Sequence, residues 1–169
     1  SGLRKSGHNI YLITGDEENV HSEIEQNDIR LINSRNLIRN LNIISDIKAV
    51  IEIRKLLKKI DPDIIATHSS KAGIVGRVAG WSLRIPTIFT AHGWSYTDGI
   101  STHNNRLYII IDSIIGRISS GVITVSEYDK QLALRHEVLH DKKLYTLHNG
   151  VQDIHNVKTM HYSHGTPLL

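Results

Sequence analysis

The chain has 169 residues, with 20 Lys and Arg, 17 Asp and Glu, 11 His and no Cys. This length suits one domain with a real core, and the missing cysteines exclude a disulfide framework, a Cys-based zinc site and a cysteine nucleophile. The small positive charge and the 5% of aromatic residues argue against a nucleic-acid-binding surface, and no apolar run reaches the ~18 residues of a membrane span. We expect a soluble protein of the cytoplasm, at most associated with a membrane surface.

The first part of the chain predicts a helix end, two short strands and one long helix. Residues 3–8 look like a last helical turn capped by Gly7, and residues 10–14 and 29–32 are short apolar runs typical of buried strands. From Ser45, the expected N-cap, a helix runs until Pro62 stops it.

Two faces are expected on this long helix. Its apolar residues at helical spacing should face the core, and its charged residues should face solvent. The apolar set is Ile47, Val50, Ile51, Leu57 and Ile60, and the charged set is Lys48, Glu52, Lys55 and Lys59. We interpret the basic side as a solvated face in preference to a membrane-docking patch.

Strands and helices alternate in the rest of the chain. We predict strands at 63–67, 87–91, 122–125 and 144–147, separated by helices that end near 83, 118 and 138. The second of these helices, at 107–118, is apolar nearly all round and is expected to be buried. This order implies an α/β fold with a doubly wound, Rossmann-like parallel sheet, covered by helices on both faces.

A polar cluster follows each of these four strands. The clusters are Thr67-His68-Ser69-Ser70-Lys71, Ala91-His92-Gly93-Trp94, Ser126-Glu127 and His148-Asn149-Gly150. The carboxyl ends of parallel strands lie at one edge of a sheet, where open α/β folds bind their ligands. We therefore predict a site at this edge.

Each cluster also has a purely structural interpretation. Gly73, Gly76 and Gly80 allow close packing of their helix, and Lys71 at its start either binds an anion or takes part in that packing. His92 before a glycine presents an imidazole in a cleft or bonds locally. The Ser126 pattern favours a helix cap, and Asn149-Gly150 is typical of a turn with positive φ.

Several kinds of site are not predicted. The histidines lack metal-ligand spacing, and the sequence contains no GxSxG elbow and no P-loop.

Four segments, in this order and spacing, resemble the N-terminal domain of family 4 glycosyltransferases. They are residues 62–73 (Pro-Asp-Ile-Ile-Ala-Thr-His-Ser-Ser-Lys-Ala-Gly), 90–94 (Thr-Ala-His-Gly-Trp), 125–129 (Val-Ser-Glu-Tyr-Asp) and 148–151 (His-Asn-Gly-Val). The resemblance covers almost the whole chain, from Leu3 to Val151.

The resemblance implies the N-terminal, acceptor-side half of a two-domain GT-B enzyme. Such an enzyme transfers a sugar from a nucleotide-sugar donor to a glycan or lipid-linked acceptor, with retention and without metal or other cofactor, often in bacterial surface polysaccharide synthesis at the inner face of the membrane. The donor is held mainly by a C-terminal domain. We expect residues 1–151 to form the acceptor-side domain, residues 152–169 to be a linker toward that second domain, and the fragment alone to be inactive.

The resemblance also implies roles for individual residues. His92 and Gly93 are expected beside the transferred sugar as the catalytic pair. The acceptor-facing residues are His68, Ser69, Lys71 and Trp94, and the cleft residues toward the donor are Ser126, Asn149 and Gly150.

Two departures from the family pattern stand out. The family's first strand and its glycine-rich loop are expected before Ser1, so the sheet is expected to lack one strand. Gln152 stands where the family often has aspartate.

Two other functions stay open at this point. One is half of a GT-B sugar-nucleotide 2-epimerase, and the other is a non-catalytic binding domain that kept the fold.

Overall fold

The computed structural model describes residues 2–15, 29–38, 42–97 and 105–150. Alternating strands and helices make up these residues, as predicted. The strands are β1 (Tyr11–Thr14), β2 (Arg30–Asn33), β3 (Ile65–His68), β4 (Thr87–Ala91), β5 (Gly121–Thr124) and β6 (Leu144–Thr146). The helices are α1 (Gly2–Lys5), α2 (Ile43–Ile60), α3 (Ser70–Ser82), α4 (Asn105–Ile118) and α5 (Glu127–Arg135), and a 3₁₀ turn spans Asp141–Lys143. The predicted linker 152–169 lies outside the described residues.

All strand pairs are parallel, which confirms the predicted α/β class. The order β3-β4-β5-β6 forms a four-stranded sheet, and β1 with β2 forms a separate two-stranded sheet. Both sheets contribute to one apolar cluster around Ala49 and Ile53, since Ile13 of β1 and Ile65 of β3 pack against it. The predicted strands are therefore present, divided between two sheets.

Helix α2 differs from its prediction in its start and in its orientation. It begins three residues earlier than expected, because the Asn42 side chain accepts a hydrogen bond from the Ser45 amide at 3.0 Å and so acts as the N-cap. Its buried row is Ala49, Ile53 and Leu57. The other apolar row of the helix is exposed, so the predicted inward orientation of Ile47 and Ile51 is wrong.

Glu52 of α2 is not a solvent-facing residue either. Its carboxylate accepts hydrogen bonds from Ser34 Oγ at 2.9 Å and from Asn36 Nδ2 at 2.7 Å. Burial raises its pKa, but these hydrogen bonds outweigh burial and lower it overall. Glu52 therefore ties α2 to the segment after β2.

The glycines of α3 bring this helix close to the sheet, as predicted. An added Cβ at Gly76 would lie 2.6 Å from Thr67 Cγ2 of β3, and one at Gly73 would lie 2.7 Å from the ring of Phe89 in β4. At Gly80 it would collide with Thr87 and Ile65. A helix with alanine at these places would have to move away from the sheet.

The main core lies on one face of the four-stranded sheet. Phe89 and Val122 belong to it, together with Leu132 and Ala133 of α5. Side chains alternate along a strand, so Ile88 and Ile123 lie on the opposite face, where they line an open groove with Tyr145. Among the described residues, no helix residue lines this groove.

Helix α4 is also more exposed than predicted. Gly116 is buried, whereas Leu107, Ile110 and Ile114 are more than half exposed. An apolar sequence on all sides of a helix did not here mean burial on all sides.

Candidate functional site

The polar clusters after β3, β4, β5 and β6 lie at one edge of the four-stranded sheet, as predicted. The register pairs His68 with Thr90, Ala91 with Thr124, and Thr124 with Thr146. All four strands run in the same direction, so the turns that follow them converge.

Two imidazoles meet at this edge. His68 ends β3, and His92 directly follows β4. Nδ1 of His68 lies 3.2 Å from Nε2 of His92, and the rings stack with centroids 5.4 Å apart and planes inclined by 29°. Both side chains are exposed. The pair shares one hydrogen bond, in which Nε2 of His68 and Nδ1 of His92 take no part.

The surroundings of His68 favour its neutral form. Burial lowers the pKa of His68 below its ordinary value, and the neighbouring His92 imidazole lowers it further. A neutral His68 ring can donate and accept hydrogen bonds, which suits it to hydroxyl groups of a ligand.

The turns behind both histidines have unusual backbone conformations. Ser69 has φ 62° and ψ 155°, a region in which residues with a Cβ are strained. Gly93 has φ 144°, which a side chain would disfavour, although open space surrounds it. The Ser69 side chain makes no capping hydrogen bond to α3. The two turns orient the imidazoles.

Lys71 forms an ion pair within the fold. Its Nζ lies 2.7 Å from Oδ1 of Asp46, and the two side chains are 15% and 29% exposed. This pair joins the second residue of α3 to the first turn of α2. The structure thus favours the packing alternative for Lys71 over the anion-binding one.

Trp94 is a core residue, which corrects its expected contact with the acceptor. It is 5% exposed and packs against Phe89 and Tyr96. Its indole Nε1 donates to the Asp129 carbonyl at 2.9 Å, so its polar atom is already satisfied. It has no face left for a ligand.

Ser126 caps α5, as its sequence pattern predicted. Its Oγ accepts from the Asp129 amide at 3.1 Å and donates to the Asp129 carboxylate at 2.5 Å. The next residue, Glu127, is exposed at the same edge and accepts from Thr146 Oγ1 at 2.8 Å. Hydrogen bonds from Gln131 and Thr146 lower the pKa of Glu127. The sequence places Glu127 in the cluster after β5 and assigns it no individual role.

His148 is a third imidazole at this edge, in the predicted cluster after β6, although the sequence assigned it no individual role. Its Nδ1 lies 3.2 Å from the Val125 carbonyl, which only accepts, so Nδ1 carries the proton and Nε2 is left as an acceptor. Its place directly after β6 was the available signal. Asn149 and Gly150 are exposed, and neither has positive φ.

The chemistry of this edge is that of a hydroxyl-binding surface. It offers imidazole nitrogens at strand ends and the Glu127 carboxylate at the start of α5, next to the open backbone of Gly93. In the part of the chain that the structure describes, no group of three or more His, Asp or Glu has the geometry of a metal site.

Comparison with known proteins assigns the sequence to a family. The sequence profile of glycosyltransferase family 4 matches residues 1–153. One curated relative is the Escherichia coli UDP-Gal:α-D-GlcNAc-diphosphoundecaprenol α-1,3-galactosyltransferase, which is 31% identical over 116 residues. The match covers 68% of this chain and 30% of that enzyme.

Solved structures share the fold. A glycosyltransferase from Rickettsia africae superimposes with a TM-score of 0.69 at 22% identity, over 89% of this chain and 37% of that one. HepE from Anabaena, solved with UDP and glucose, superimposes with a TM-score of 0.62 at 17% identity, over 82% and 37%. The chain therefore spans less than half the length of each of these three proteins.

Proposed function

The chain belongs to glycosyltransferase family 4, and from that premise we propose that it is the acceptor-side half of an enzyme that transfers a sugar from a nucleotide-sugar donor. The acceptor is a glycan or lipid-linked glycan, and the pathway is bacterial surface polysaccharide synthesis. The family match over residues 1–153 carries the proposal. It is supported by the name of the galactosyltransferase relative, which specifies a UDP-sugar and a diphosphoundecaprenol-linked sugar.

In this proposal the histidine pair binds the reacting sugars. His92, which Gly93 leaves open to the cleft, donates a hydrogen bond to a hydroxyl of the transferred sugar. His68 holds the His92 ring in position and, with Ser69, faces the acceptor. Ser126, Asn149 and Gly150 line the wall toward the donor. Trp94 and Lys71 have no ligand contact in this proposal, because Trp94 is buried and Lys71 is paired with Asp46.

We propose that the donor diphosphate is bound by a second domain, which corresponds to the part of the relatives that this chain does not cover. There, fixed cations and helix N-termini stabilise the charge that develops on the leaving group. The proposed reaction proceeds with retention and without metal. Front-face transfer of this kind requires no protein nucleophile on the acceptor-side domain.

The location that fits this proposal is the cytoplasmic face of the membrane, where a lipid-linked acceptor is available. No helix in the described part of the chain has the length and apolarity needed to cross a bilayer.

Calorimetric titration of this chain with UDP-galactose, UDP-glucose and UDP-GlcNAc tests whether donor binding resides in the proposed second domain. We expect no binding tighter than ~1 mM and no transfer, because the diphosphate partners lie elsewhere. Micromolar binding would show that donor recognition resides in this half.

A transfer assay on the intact protein that contains this chain tests the function itself. Radiolabelled UDP-sugars are incubated with a polyprenyl-diphosphate-linked sugar, and we expect label in the lipid fraction. Conversion of the UDP-sugar to its 2-epimer without acceptor would favour the epimerase alternative. A protein that does neither would favour the binding-domain alternative.

A further inference from the structure

A buried arginine lies behind the two strand ends that carry the histidine pair. Arg77 of α3 is 1% exposed, and it is the largest of the fully buried side chains in the described part of the chain. Taking a positive charge out of water is costly unless the charge is paired and hydrogen-bonded. The contacts of this side chain therefore indicate what the charge does.

The guanidinium of Arg77 contacts three elements at once. Its Nε donates a hydrogen bond to the Gly73 carbonyl of α3 at 2.8 Å. Its central carbon, Cζ, lies 4.2 Å from the centroid of the Phe89 ring in β4, which is a cation–π contact. Its Nη2 lies 3.9 Å from Oδ1 of Asp112 on α4. One rigid planar group thus ties α3, β4 and α4 together.

Two of these contacts lie directly behind the histidine pair. Gly73 belongs to the first turn of α3, which follows His68 and the strained turn at Ser69. Phe89 lies in β4, three residues before His92. The guanidinium therefore joins the segment behind one imidazole to the segment behind the other.

Stability alone does not account for the ion pair between Arg77 and Asp112. Its 3.9 Å is too long for a hydrogen bond, and Nη2 has no hydrogen-bond partner in the part of the chain that the structure describes. Burial lowers the pKa of Arg77 to about 10 and raises that of Asp112 to about 6, so the attraction between the two charges does not offset the cost of burying them. A buried charge that stability does not require points to a functional role.

We propose that Arg77 is a positioning residue for the histidine pair, because it fixes the first turn of α3 against β4 and so sets the distance between the His68 and His92 rings. Arg77 is buried and does not touch a sugar itself. A displacement of ~1 Å at a reacting group can cost ~100-fold in rate, so a residue can matter without such contact. The catalytic consequence rests on the proposed function, whereas the distance between the rings can be measured without any substrate.

Two variants that differ only at Arg77 isolate its effect. Asp112→Asn removes the carboxylate and keeps the guanidinium. Arg77→Met/Asp112→Asn then replaces the guanidinium by an apolar side chain of similar length without leaving a carboxylate unpaired. We expect the double variant to melt at no lower a temperature than Asp112→Asn, because it removes a buried charge.

NMR of the 169-residue chain measures the position of the rings. We expect nuclear Overhauser effects between the ring protons of His68 and His92 in the unmodified chain, where the ring centroids are 5.4 Å apart. They should persist in Asp112→Asn and be lost in Arg77→Met/Asp112→Asn. Loss of this contact in a variant that is at least as stable is a result that a packing role does not produce.

Transfer kinetics of the intact protein that contains this chain measure the consequence. We expect kcat to be ~10-fold or more lower in the double variant than in Asp112→Asn, with the KM of donor and acceptor within ~3-fold. Phe89→Leu removes the ring from the other side of the contact and should have the same two effects. The control Ile53→Ala, in the separate apolar cluster around Ala49 and Ile53, should lower the melting temperature and have neither effect.

Three outcomes would overturn the proposal: no Overhauser effect between the rings in the unmodified chain, retention of that effect in the double variant, or an unchanged kcat. A loss of kcat that merely follows the melting temperature, as in Ile53→Ala, would also make Arg77 a packing residue. If the double variant does not fold, Phe89→Leu decides by the same two measurements. An unmodified protein that transfers no sugar would reject the proposed function, while the Overhauser effects still decide whether Arg77 sets the distance between the rings.

Discussion

Nδ1 of His68 and Nε2 of His92 are 3.2 Å apart, although the two residues are 24 positions apart in the chain. Only one proton fits between these nitrogens, so each ring determines which nitrogen of the other carries hydrogen. The strained turn at Ser69 and the glycine turn at Gly93 bring the rings into this arrangement. In the proposed function this histidine pair binds the reacting sugars.

We expect His92→Ala in the intact protein to lower kcat/KM by ~100-fold, about 2.7 kcal/mol of transition-state stabilisation. A sugar hydrogen bond in a cleft that closes and excludes water strengthens toward the transition state. The melting temperature should hardly change, because His92 is exposed. Near-normal turnover, or activity lost only in proportion to folding, would disprove the catalytic role.

We expect the pKa of His68, followed by NMR, to lie below 6.5. In His92→Asn it should rise without reaching that value, because burial is the larger cause and remains. A base with a lowered folded-state pKa binds fewer protons when folded, so its contribution to stability is lost as the pH falls below 6.5. An unchanged pKa in His92→Asn would show that the rings do not interact in solution.

Lys71→Ala should lower the free energy of unfolding by ~1 kcal/mol, because it breaks the pair with Asp46 between α2 and α3. In an Asp46→Ala background the same change should cost clearly less. Thermal denaturation of the four proteins measures this coupling. If stability is unaffected and the KM for the acceptor rises instead, the anion-binding alternative for Lys71 is correct.

Gly76→Ala should destabilise the fold, even though alanine favours helix by ~1 kcal/mol. The new Cβ meets Thr67 Cγ2 at 2.6 Å, and the next atom beyond its own helix backbone is Thr67 Cβ at 3.8 Å. Thr67→Ser removes that methyl and keeps the hydroxyl that donates to the Ile88 carbonyl. The alanine should therefore be better tolerated in the Thr67→Ser background. Additive effects in urea denaturation would argue against the close contact.

Asp112 makes stability depend on pH in an identifiable direction. Burial raises the pKa of Asp112 to about 6, against the attraction of Arg77, whose Nη2 lies 3.9 Å away. The folded state thus binds the proton more tightly than the unfolded one, so stability is lost as the pH rises from about 4 through 6.

The variant Asp112→Asn isolates this contribution. We expect it to melt at a higher temperature than the unmodified chain at pH 7.5, and the difference to shrink as the pH falls through 6 and to vanish below 3.8, the ordinary pKa of Asp. Other titrating groups cancel in the comparison. A difference in melting temperature that does not change with pH would show that the pKa of Asp112 is not raised.

Features with a local cause were predictable from the sequence alone. The Ser126 cap depends on groups three residues apart, and it was confirmed. Glycine disfavours a helix, so three glycines on α3 predicted close packing, which was also confirmed. Alternation of strands and helices likewise determined that the polar clusters share one sheet edge. These inferences need only hydrogen bonds and side-chain periods within one or two elements.

Tertiary packing decided the rest. Helical periodicity in α2 yields two apolar rows, and only contact with the neighbouring elements selected Ala49, Ile53 and Leu57 for burial and left Ile47 and Ile51 outside. Trp94 can be buried because the Asp129 carbonyl, 35 positions later, accepts a hydrogen bond from its indole N–H. The sequence placed both histidines at one edge but not in contact, because the strand-end turns set that distance. Long-range contacts of this kind have no periodic trace in the sequence, since their energy arises only when the chain is folded.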